Sequence, residues 1–442
     1  MPEAALAHRM IDPSVLRAIF PVGGEAKRLR PLTLSVSKAC VRLLNRPIIE
    51  FSMESLSRQG IRNFIFGVKG YLNYKSLFDY FRDGIGFSAY YGIEPRVHIK
   101  YQPNIPDVGS ADSIGINLEY YDIQGPVLGV QGDSLFDVDL TEMLSFHEKK
   151  DAAMTIVLTP VEKTEEYGVA DLEPNMRIRR FVEKPSTDEA PSKFANTGLY
   201  LLSPRMREVF KGEGVQQIIK KRKRLDFGMD MIPYLVDEGF PVYGYVLKGA
   251  WFDVGTPERY LNAMVSVLNG ALTIVPDLGG QIDQERRIYI QGTSTESIRR
   301  REKTIEAIRS GSIQVQGCAL IGRHTALGKG TALINSNLDN FCILGEGIHV
   351  ERSAILDRCF IGDGASVQGS IVSRHSYINS SRAHPTEISS LSVIGDDVMV
   401  GEGSRIISSR IWPGIEVPAG SVLTGKEIKS PEELQVALKS KL

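Results

Sequence analysis

A cluster of glycines and basic residues near the start of the sequence has the composition of an anion-binding loop. The cluster begins with Gly23-Gly24, directly after the apolar stretch 18–22. Glycine lets a backbone approach a phosphate chain closely, and nearby N–H groups can face it. The loop has neither the GK[ST] ending of a Walker loop nor the GxGxxG spacing of a dinucleotide fold. The pattern predicts phosphate binding, with positive charge from Lys27, Arg28, Arg30 and Lys38.

Two aspartates occupy positions typical of metal ligands. Asp133 follows the apolar stretch 126–130, and Asp253 precedes a Gly-Thr-Pro turn. Carboxylates without neighbouring His or Cys favour a hard cation, and Mg²⁺ takes one or two carboxylates together with substrate phosphates. The sequence therefore predicts a Mg²⁺ site.

A further pair, Glu183-Lys184, combines an acceptor for hydroxyl groups with a cation for a phosphate.

The elements that must position these residues alternate between strand-like and helix-like segments. This alternation predicts an α/β fold with a mostly parallel sheet, and residues 169–171 and 178–182 flank a turn that predicts an antiparallel hairpin. Ligands bind beyond the carboxyl ends of the strands in open α/β sheets, so Gly23, Asp133 and Asp253 are expected there. The predicted strands are 18–22, 64–68, 126–130 and 153–158, and the predicted helices are 47–57 and 110–122.

From residue 312 the sequence is repetitive. An aliphatic residue recurs about every six positions, often followed by glycine. Short strands on the flat faces of a prism fit this spacing, and stacked coils bury a continuous aliphatic column. The repeat resembles the hexapeptide-repeat left-handed β-helix family over residues 312–425. A longer period of 16 or 17 residues relates Leu344, Ile361, Ile378, Ile394 and Ile411.

The repeat has two further features, a pair of cysteines at the longer spacing and a break in its phase. Cys342 and Cys359 share this longer spacing and are expected to stack as small buried side chains. The phase breaks at 373–387, which predicts a protruding loop. Outside the repeat, one solvated helix is predicted over 295–310, and Ser430-Pro431 with Glu433 predicts the capping box of a C-terminal helix.

Composition excludes several classes of protein. The 52 Lys and Arg residues balance 53 Asp and Glu residues, for a net charge of -1, so a nucleic-acid partner is not expected. The sequence has no apolar run long enough for a membrane helix, and its N-terminal segment lacks a secretory apolar core. Its four cysteines form no disulfide framework or CxxC pair. A cytoplasmic protein without a membrane partner is expected.

Taken in order, the motifs resemble those of the nucleoside-diphosphate-sugar pyrophosphorylases, which are sugar-1-phosphate nucleotidyltransferases. That family shows a GGxGTRLxPLT-type loop followed by Lys, a GD at a strand end, an EKP and a W-x-D-x-G-T-P. The resemblance covers about 15–265 and 312–425. It implies a Rossmann-like catalytic domain followed by a left-handed parallel β-helix. The expected organisation is a catalytic domain at 1–265, a linker with one helix at 266–311, the β-helix at 312–425 and a C-terminal helix at 426–442.

The resemblance implies a reaction and a role for each motif. The family joins a sugar 1-phosphate to a nucleoside triphosphate and releases pyrophosphate. By motif, Asp133 and Asp253 hold Mg²⁺, and Arg28, Lys38 and Asp133 are catalytic. The implied nucleotide-binding residues are Gly23, Gly24, Lys27, Gln102, Gly109, Ser110 and Asp112, and the implied sugar-phosphate-binding residues are Tyr167, Gly168, Glu183, Lys184 and Asn196.

One departure from the family pattern lies in the loop. Ala26-Lys27 stands where the family has Gly-Thr. The lost glycine restricts the backbone, and the lost threonine removes a hydroxyl group that Lys27 can replace with a charge. Residues 37 and 39 also lack the prolines that flank the later Lys in the family.

Several alternatives remain open at this point. Residues 110–112 and 226–230 favour glucose 1-phosphate as the sugar substrate, with adenylyl or another nucleotidyl transfer. The sequence Ile-Trp-Pro-Gly at 411–414 favours mannose-1-phosphate guanylyltransferases. A non-catalytic regulatory or scaffolding subunit is a second class, and acyl transfer involving His375 and His384 is a third. The flat sides of the repeat predict a homo-oligomer.

Overall fold

The computed structural model describes residues 11–273, 278–283 and 287–439. The ends of the first and last predicted domains and parts of the predicted linker lie outside the described residues, at 1–10, 274–277, 284–286 and 440–442. Among the described residues, no helix combines the length and apolar character needed to cross a bilayer.

The chain forms two compact units that interleave in sequence. Of the described residues, the first unit contains 11–24 and 49–251, and the second contains 25–48 and those that follow residue 251. The loop predicted to bind phosphate is therefore divided, because Gly23 and Gly24 belong to the first unit and the basic residues to the second. The predicted boundary at 265 thus differs from this division, and the predicted domain bounds stay predictions.

The first thirteen strands and nine helices run from residue 17 to residue 268. The strands are β1 Arg17–Val22, β2 Arg42–Leu43, β3 Arg46–Pro47, β4 Asn63–Val68, β5 His98–Tyr101, β6 Val127–Val130, β7 Ser134–Phe136, β8 Met154–Pro160, β9 Gly168–Leu172, β10 Ile178–Glu183, β11 Phe194–Leu202, β12 Val242–Val246 and β13 Trp251–Asp253. The helices are α1 Ile48–Arg58, α2 Tyr71–Phe81, α3 Ile85–Tyr91, α4 Ser110–Tyr120, α5 Leu140–Lys149, α6 Met206–Lys211, α7 Glu213–Arg222, α8 Ile232–Asp237 and α9 Pro257–Leu268.

The first unit is built on one mixed sheet. Its order is β10-β9-β11-β6-β1-β4-β5, with β8 between β11 and β12. Strands β6, β1, β4 and β5 run parallel, while β11 runs antiparallel to β6 and β8. The central strands are nearly continuous apolar runs because helices cover both faces of such sheets. The predicted Rossmann-like fold is confirmed, and so is the hairpin of β9 and β10.

One local prediction is wrong. Pro47, expected in the first turn of a helix, instead lies in β3 and pairs with Arg42 of β2. The helix α1 begins at Ile48 and ends at Arg58. The predicted helix 110–122 corresponds to α4, whose first turn follows Gly109.

The second unit contains a parallel β-helix. Its remaining helices are α10 Thr295–Arg309 and α11 Pro431–Lys439. Its strands are β14 Gly280–Asp283, β15 Ile288–Ile290, β16 Gln314–Ile321, β17 Ala326–Leu327, β18 Ala332–Leu338, β19 Ile343–Leu344, β20 His349–Glu351, β21 Ala354–Ile355, β22 Phe360–Ile361, β23 Ser366–Gln368, β24 Ile371–Val372, β25 Tyr377–Ile378, β26 Glu387–Ser389, β27 Val393–Ile394, β28 Met399–Val400, β29 Arg405–Ile407, β30 Arg410–Ile411, β31 Glu416–Val417, β32 Val422–Thr424 and β33 Glu427–Ile428.

Parallel pairing in register stacks one coil on the next. Along one face, Leu344 pairs with Ile361, and Ile361 pairs in turn with Ile378 of the following coil. These side chains are buried in a continuous aliphatic column. Parallel pairing already begins at Ile288, where β15 pairs with β16, before the predicted start of the repeat at 312. Cys342 and Cys359 are buried and free of disulfides, as expected.

The structure corrects the register after the phase break. Ile378 stacks on Val400, because the chain carries extra residues between these two coils. Ile394, predicted to lie in the same column, instead pairs with Val372 on another face. The predicted loop at 373–387 is shorter than expected, since β25 lies inside it and only residues 379–386 lie between β25 and β26.

Candidate active site

In the first unit, predicted site residues follow neighbouring parallel strands. Gly23 comes directly after β1, and Asp133 comes shortly after the adjacent strand β6. The predicted residue Gln102 follows β5, and Lys69, which was not predicted, follows β4. Because the carboxyl ends of parallel strands share one edge of a sheet, these residues line that edge. Asp253 belongs to the second unit.

The side chain of Gln102 is buried in a polar network. Its Oε1 accepts hydrogen bonds from Ser113 Oγ at 2.7 Å and Asn117 Nδ2 at 2.9 Å. Its Nε2 donates to the Ile105 carbonyl at 3.1 Å and Asp107 Oδ2 at 3.3 Å. The amide is therefore held in one orientation, behind the edge where the strands end.

The motif at 109–112 opens helix α4 against the turn at 225–226. A Cβ on Gly109 would lie 2.5 Å from the carbonyl oxygen of Leu225, so only glycine fits there. The backbone N–H of Ser110 donates to Asp226 Oδ1 at 3.0 Å, and Asp112 accepts from the Val108 N–H at 2.9 Å. Burial raises the pKa of Asp112. This motif fixes the loop that precedes α4.

Glu183 lies in a space that two glycines leave open. A Cβ on Gly168 would come within 2.5 Å of Glu183 Oε2, and a Cβ on Gly228 within 2.2 Å. The pKa of Glu183 is raised, because the effect of burial is larger than the opposing effect of the Lys184 charge. A half-buried carboxylate in such a pocket suits hydroxyl groups, since its oxygens are strong acceptors.

The neighbours of Glu183 are ordered by backbone and ring contacts. The Lys184 N–H donates to the Tyr167 carbonyl at 2.9 Å, and the Tyr167 ring lies 5.3 Å from that of Trp251. Asn196 donates from Nδ2 to Tyr200 Oη at 2.8 Å and accepts from the Gly198 N–H at 2.9 Å. The structure thus groups Tyr167, Gly168, Glu183 and Lys184 within the first unit.

In the second unit, cations surround the carboxylate of Asp253. Lys38 Nζ lies 3.8 Å from Asp253 Oδ1, and Arg259 Nη1 forms an ion pair with Oδ2. Arg28 borders the same point, since a Cβ on Gly255 would lie 3.1 Å from both Arg28 Nη2 and Asp253 Oδ2. The Lys38, Asp253 and Arg259 side chains are 16–20% exposed. An incoming anionic group would meet several positive charges here.

Arg259 was not predicted from the sequence. It lies in the first turn of α9, where Thr256 caps the helix by accepting from the Arg259 N–H at 3.3 Å. Its position just after the Gly-Thr-Pro turn was the available signal. Helix capping orients the turn, and the turn places Arg259 beside Asp253.

Lys27 occupies a different position from Arg28. Its Nζ forms an ion pair with Glu25 at 2.9 Å, and both side chains are largely exposed. The preceding residue, Ala26, has φ 46° and ψ 44°, the left-handed conformation that glycine adopts without strain. The chain thus keeps the backbone shape of a glycine position without the glycine. Thr33 Oγ1 supports the turn by donating to the Ala26 carbonyl at 3.1 Å.

The predicted metal site involves carboxylates from both units. Asp133 is partly buried between β6 and β7 in the first unit, and Asp253 lies in the second. Among the described residues, no group of three or more His, Cys, Asp and Glu side chains is arranged to hold a metal ion. A site of two carboxylates completed by substrate phosphates stays a prediction.

Comparisons with known proteins agree with these motifs. Residues 17–270 match the family described as nucleotidyl transferase, and residues 312–428 match the GMPPB C-terminal domain. A UTP--glucose-1-phosphate uridylyltransferase of Synechocystis is 28% identical over 333 residues, or 73% of this chain and 78% of that protein. A mannose-1-phosphate guanylyltransferase catalytic subunit beta of Danio rerio is 31% identical over 264 residues, or 59% and 67%.

A third relative is a glucose-1-phosphate adenylyltransferase of Desulfitobacterium hafniense, which is 29% identical over 269 residues, or 57% of this chain and 64% of that protein. The relatives thus differ in the nucleotide and the sugar that their names state. The nucleotidyl transferase match spans more than half of the sequence and includes all the predicted site residues. This chain therefore belongs to the nucleotidyl transferase family.

Proposed function

We propose that this chain transfers a nucleotidyl group from a nucleoside triphosphate to a sugar 1-phosphate and releases pyrophosphate. One observation carries the proposal, the grouping of Arg28, Lys38 and Arg259 around Asp253. Charge repulsion opposes the approach of a phosphate dianion to a triphosphate, and positioned cations reduce it. The sugar-1-phosphate substrates in the names of the relatives support the same reaction.

In the proposed reaction, a phosphate oxygen of the sugar 1-phosphate attacks the α-phosphorus in line. The bond between the α-phosphorus and the bridging oxygen breaks, and pyrophosphate leaves with the electron pair. The nucleophile is already ionised at neutral pH, so no general base is required. We assign the attacked α-phosphate to Lys38, and the triphosphate with its leaving pyrophosphate to Arg28.

We propose Mg²⁺ as the metal and Asp133 and Asp253 as its protein ligands. The donor chemistry fits, because Mg²⁺ accepts one or two carboxylates and completes its shell with phosphates and water. Bound Mg²⁺ would neutralise negative charge on the triphosphate and on the leaving pyrophosphate.

On the sugar side, we propose that Glu183 and Asn196 accept or donate hydrogen bonds to sugar hydroxyl groups. Lys184 would hold the sugar phosphate, with Tyr167 and Gly168 shaping the pocket. The two neighbouring glycines support this assignment, because their lack of side chains leaves room for the Glu183 carboxylate.

On the nucleotide side, the proposal retains the residues implied by the family resemblance. Gln102 supports this side through its fixed amide, and the constraint on Gly109 fixes the loop. Lys27 would reach a nucleotide phosphate only after leaving Glu25. The proposed nucleotide-binding residues are Gly23, Gly24, Lys27, Gln102, Gly109, Ser110 and Asp112.

The leading substrate is glucose 1-phosphate, which two of the three relatives described above carry in their names. A second candidate is mannose-1-phosphate guanylyl transfer. The match of residues 312–428 to the GMPPB C-terminal domain favours this second candidate, and so does the 31% identity to the guanylyltransferase subunit.

The test is a pyrophosphate-release assay on the purified chain. Five nucleoside triphosphates are each combined with glucose 1-phosphate, mannose 1-phosphate and related sugar phosphates, with Mg²⁺ or with a chelator. We expect release with at least one pair and none with the chelator. No release with any pair would instead support the regulatory or scaffolding alternative. In a separate incubation with acetyl-CoA and an amino-sugar phosphate, consumption of acetyl-CoA would support acyl transfer.

The metal role is tested by Asp133→Ala. We expect a loss of kcat/KM of about 100-fold or more with an unchanged unfolding midpoint, because the variant lacks a charge needed in the transition state. The matched control is Asp237→Ala at the exposed end of α8, which should retain full activity. Turnover by Asp133→Ala at the wild-type rate would contradict the proposed metal ligand.

A further inference from the structure

An aspartate of the β-helix holds the segment that carries Arg28 and Lys38, residues 25–48. Asp339 follows strand β18, and its side chain is fully buried. Arg42 donates from Nε to Asp339 Oδ2 at 2.5 Å and from Nη2 to Oδ1 at 2.7 Å. A two-pronged pair of this kind fixes both the position and the orientation of the guanidinium. Asn45 adds a second contact, since its Nδ2 donates to the Leu338 carbonyl at 3.2 Å.

A second aspartate of the β-helix contacts the same segment at Ser35, which is closer to Arg28 in the sequence than Arg42 is. Ser35 Oγ donates to Asp396 Oδ2 at 2.7 Å, and Arg374 Nη2 donates to the same oxygen at 2.5 Å. Burial raises the pKa of Asp396, but hydrogen bonds from Arg374, Ser373 and Ser35 outweigh it and leave the pKa lowered. The carboxylate is therefore a charged acceptor for the Ser35 hydroxyl.

The β-helix does not need Asp339 for stacking its coils. Five other residues occupy the equivalent position in their coils, because the backbone N–H of each donates to the next coil in the same way. They are Gly322, Leu356, Ser373, Gly395 and Trp412. None of the five is ionisable and two are glycines, so the position tolerates many side chains.

The two contacts flank Lys38, which lies between Ser35 and Arg42 in the sequence. Between them the chain makes a 3-10 turn, in which Cys40 N–H donates to the Ser37 carbonyl at 2.9 Å and Val41 N–H to the Lys38 carbonyl at 3.1 Å. A short segment fixed at both ends leaves little freedom to its middle. We propose that Asp339 and Asp396 are positioning residues, which place Lys38 for the reaction through Arg42 and Ser35.

This inference rests on the proposed function, because it assigns a kinetic effect to residues outside the substrate pockets. Loss of an anchor should impair the transition state, where Lys38 is proposed to act, more than it impairs substrate binding. A misplacement of about 1 Å in a catalytic group can cost about 100-fold in rate. The sugar phosphate KM should stay nearly constant, since its proposed binding residues belong to the first unit.

The kinetic test uses Ser35→Ala, which removes one hydroxyl group and leaves the pair of Asp396 and Arg374 in place. We expect kcat to fall about tenfold, with the KM for the sugar phosphate within about twofold of wild type. Ser35→Thr, which restores a hydroxyl group, should recover most of the rate. The matched control is Ser408→Ala, whose hydroxyl donates to the Ser390 carbonyl within the β-helix.

A double-mutant cycle separates positioning from a general loss of folded protein. In a Lys38→Ala background, Ser35→Ala should lower kcat less than about twofold, because the residue that it positions is gone. Asp339→Asn should show the same dependence on Lys38. Losses that multiply in full, or a Ser35→Ala enzyme as fast as wild type, would overturn the positioning role.

Hydrogen exchange provides a readout that does not require activity. In Ser35→Ala and Asp339→Asn, the amides of Cys40 and Val41 should exchange about tenfold faster, while those of 405–411 stay unchanged. Unchanged exchange at Cys40 and Val41 would refute the anchors even in an active enzyme. A wild-type chain that is protected at these amides but releases no pyrophosphate with any pair would instead refute the proposed function, and with it the kinetic role of the anchors.

Discussion

The two units reach stability by different routes. In the first, strands far apart in sequence pair in both directions, as where β11 lies antiparallel to both β6 and β8. In the second, most strands pair in parallel with the equivalent strand of the next coil. The first unit therefore places distinct side chains at individual strand ends, whereas the second repeats one apolar position many times. In the second unit, Asp339, one of the residues proposed to position Lys38, lies at a position where none of the five equivalent residues in other coils is ionisable.

If the two units are stabilised in these different ways, the largest change in the free energy of unfolding should come from a substitution in the aliphatic column of the β-helix. Ile361 is fully buried between coils, and we expect Ile361→Ala to lower the free energy of unfolding by about 3 kcal/mol, through lost burial and a cavity. Urea denaturation of the full chain measures this change.

The β-helix supplies a matched control of the same residue type. Ile343 lies on the same face of the coil but points outward and is 54% exposed. Ile343→Ala should change the free energy of unfolding by less than about 0.5 kcal/mol. Equal effects of the two substitutions would show that the stacked column is not what stabilises the second unit.

A smaller loss of stability is expected at acid pH, and it should arise in the first unit, which contains His147. His147 is buried with Nδ1 2.8 Å from Thr155 Oγ1, and burial, assisted by Arg205, lowers its pKa to about 4. Protons then bind the unfolded chain more readily between pH 6.5 and 4, so stability is complete above pH 6.5 and falls as pH drops through this range. By pH 5 the loss is about 2 kcal/mol.

The measurement compares urea denaturation of wild type and His147→Gln at pH 7 and pH 5. The variant should lose about 2 kcal/mol less than wild type over this interval. Identical losses would mean that His147 does not carry the acid sensitivity.

The smallest change in stability is expected at Ala26, whose backbone has the left-handed conformation. Because a Cβ is unfavourable in that conformation, Ala26→Gly should stabilise the chain by up to about 1 kcal/mol and leave turnover intact. Ala190, with φ -64°, is the control, and Ala190→Gly should destabilise the chain by about 0.5 kcal/mol. Thermal unfolding measures both, and destabilisation by both substitutions would contradict strain at Ala26.

The fold was predictable from the sequence to the extent that its signals were periodic. The alternation of strands and helices predicted the sheet of the first unit, and the recurring aliphatic positions predicted the β-helix. The register after Ile378 was not predictable, because the spacing to Ile394 looked like one more coil. Only the strand pairing shows that Val400 continues the column, since an insertion resets the count without changing the residue types.

The candidate site was predictable where motifs combine several residue types. The cationic loop and Asp253 were identified together, and the structure places Lys38 beside Asp253. Arg42, Asp339 and Asp396 were not identified, because each is an isolated charged residue in sequence. Their partners lie on distant parts of the chain, and no local pattern encodes such a pairing.

The interleaving of the two units limits how relatives could be recombined. A crossover near residue 265 looks natural in sequence, yet it would pair residues 25–48 of one parent with the coils of another. A chimera made there would inherit Ser35 and Arg42 from one parent and the positions of Asp339 and Asp396 from the other. Donors for such exchanges should therefore be chosen by these four positions rather than by overall similarity.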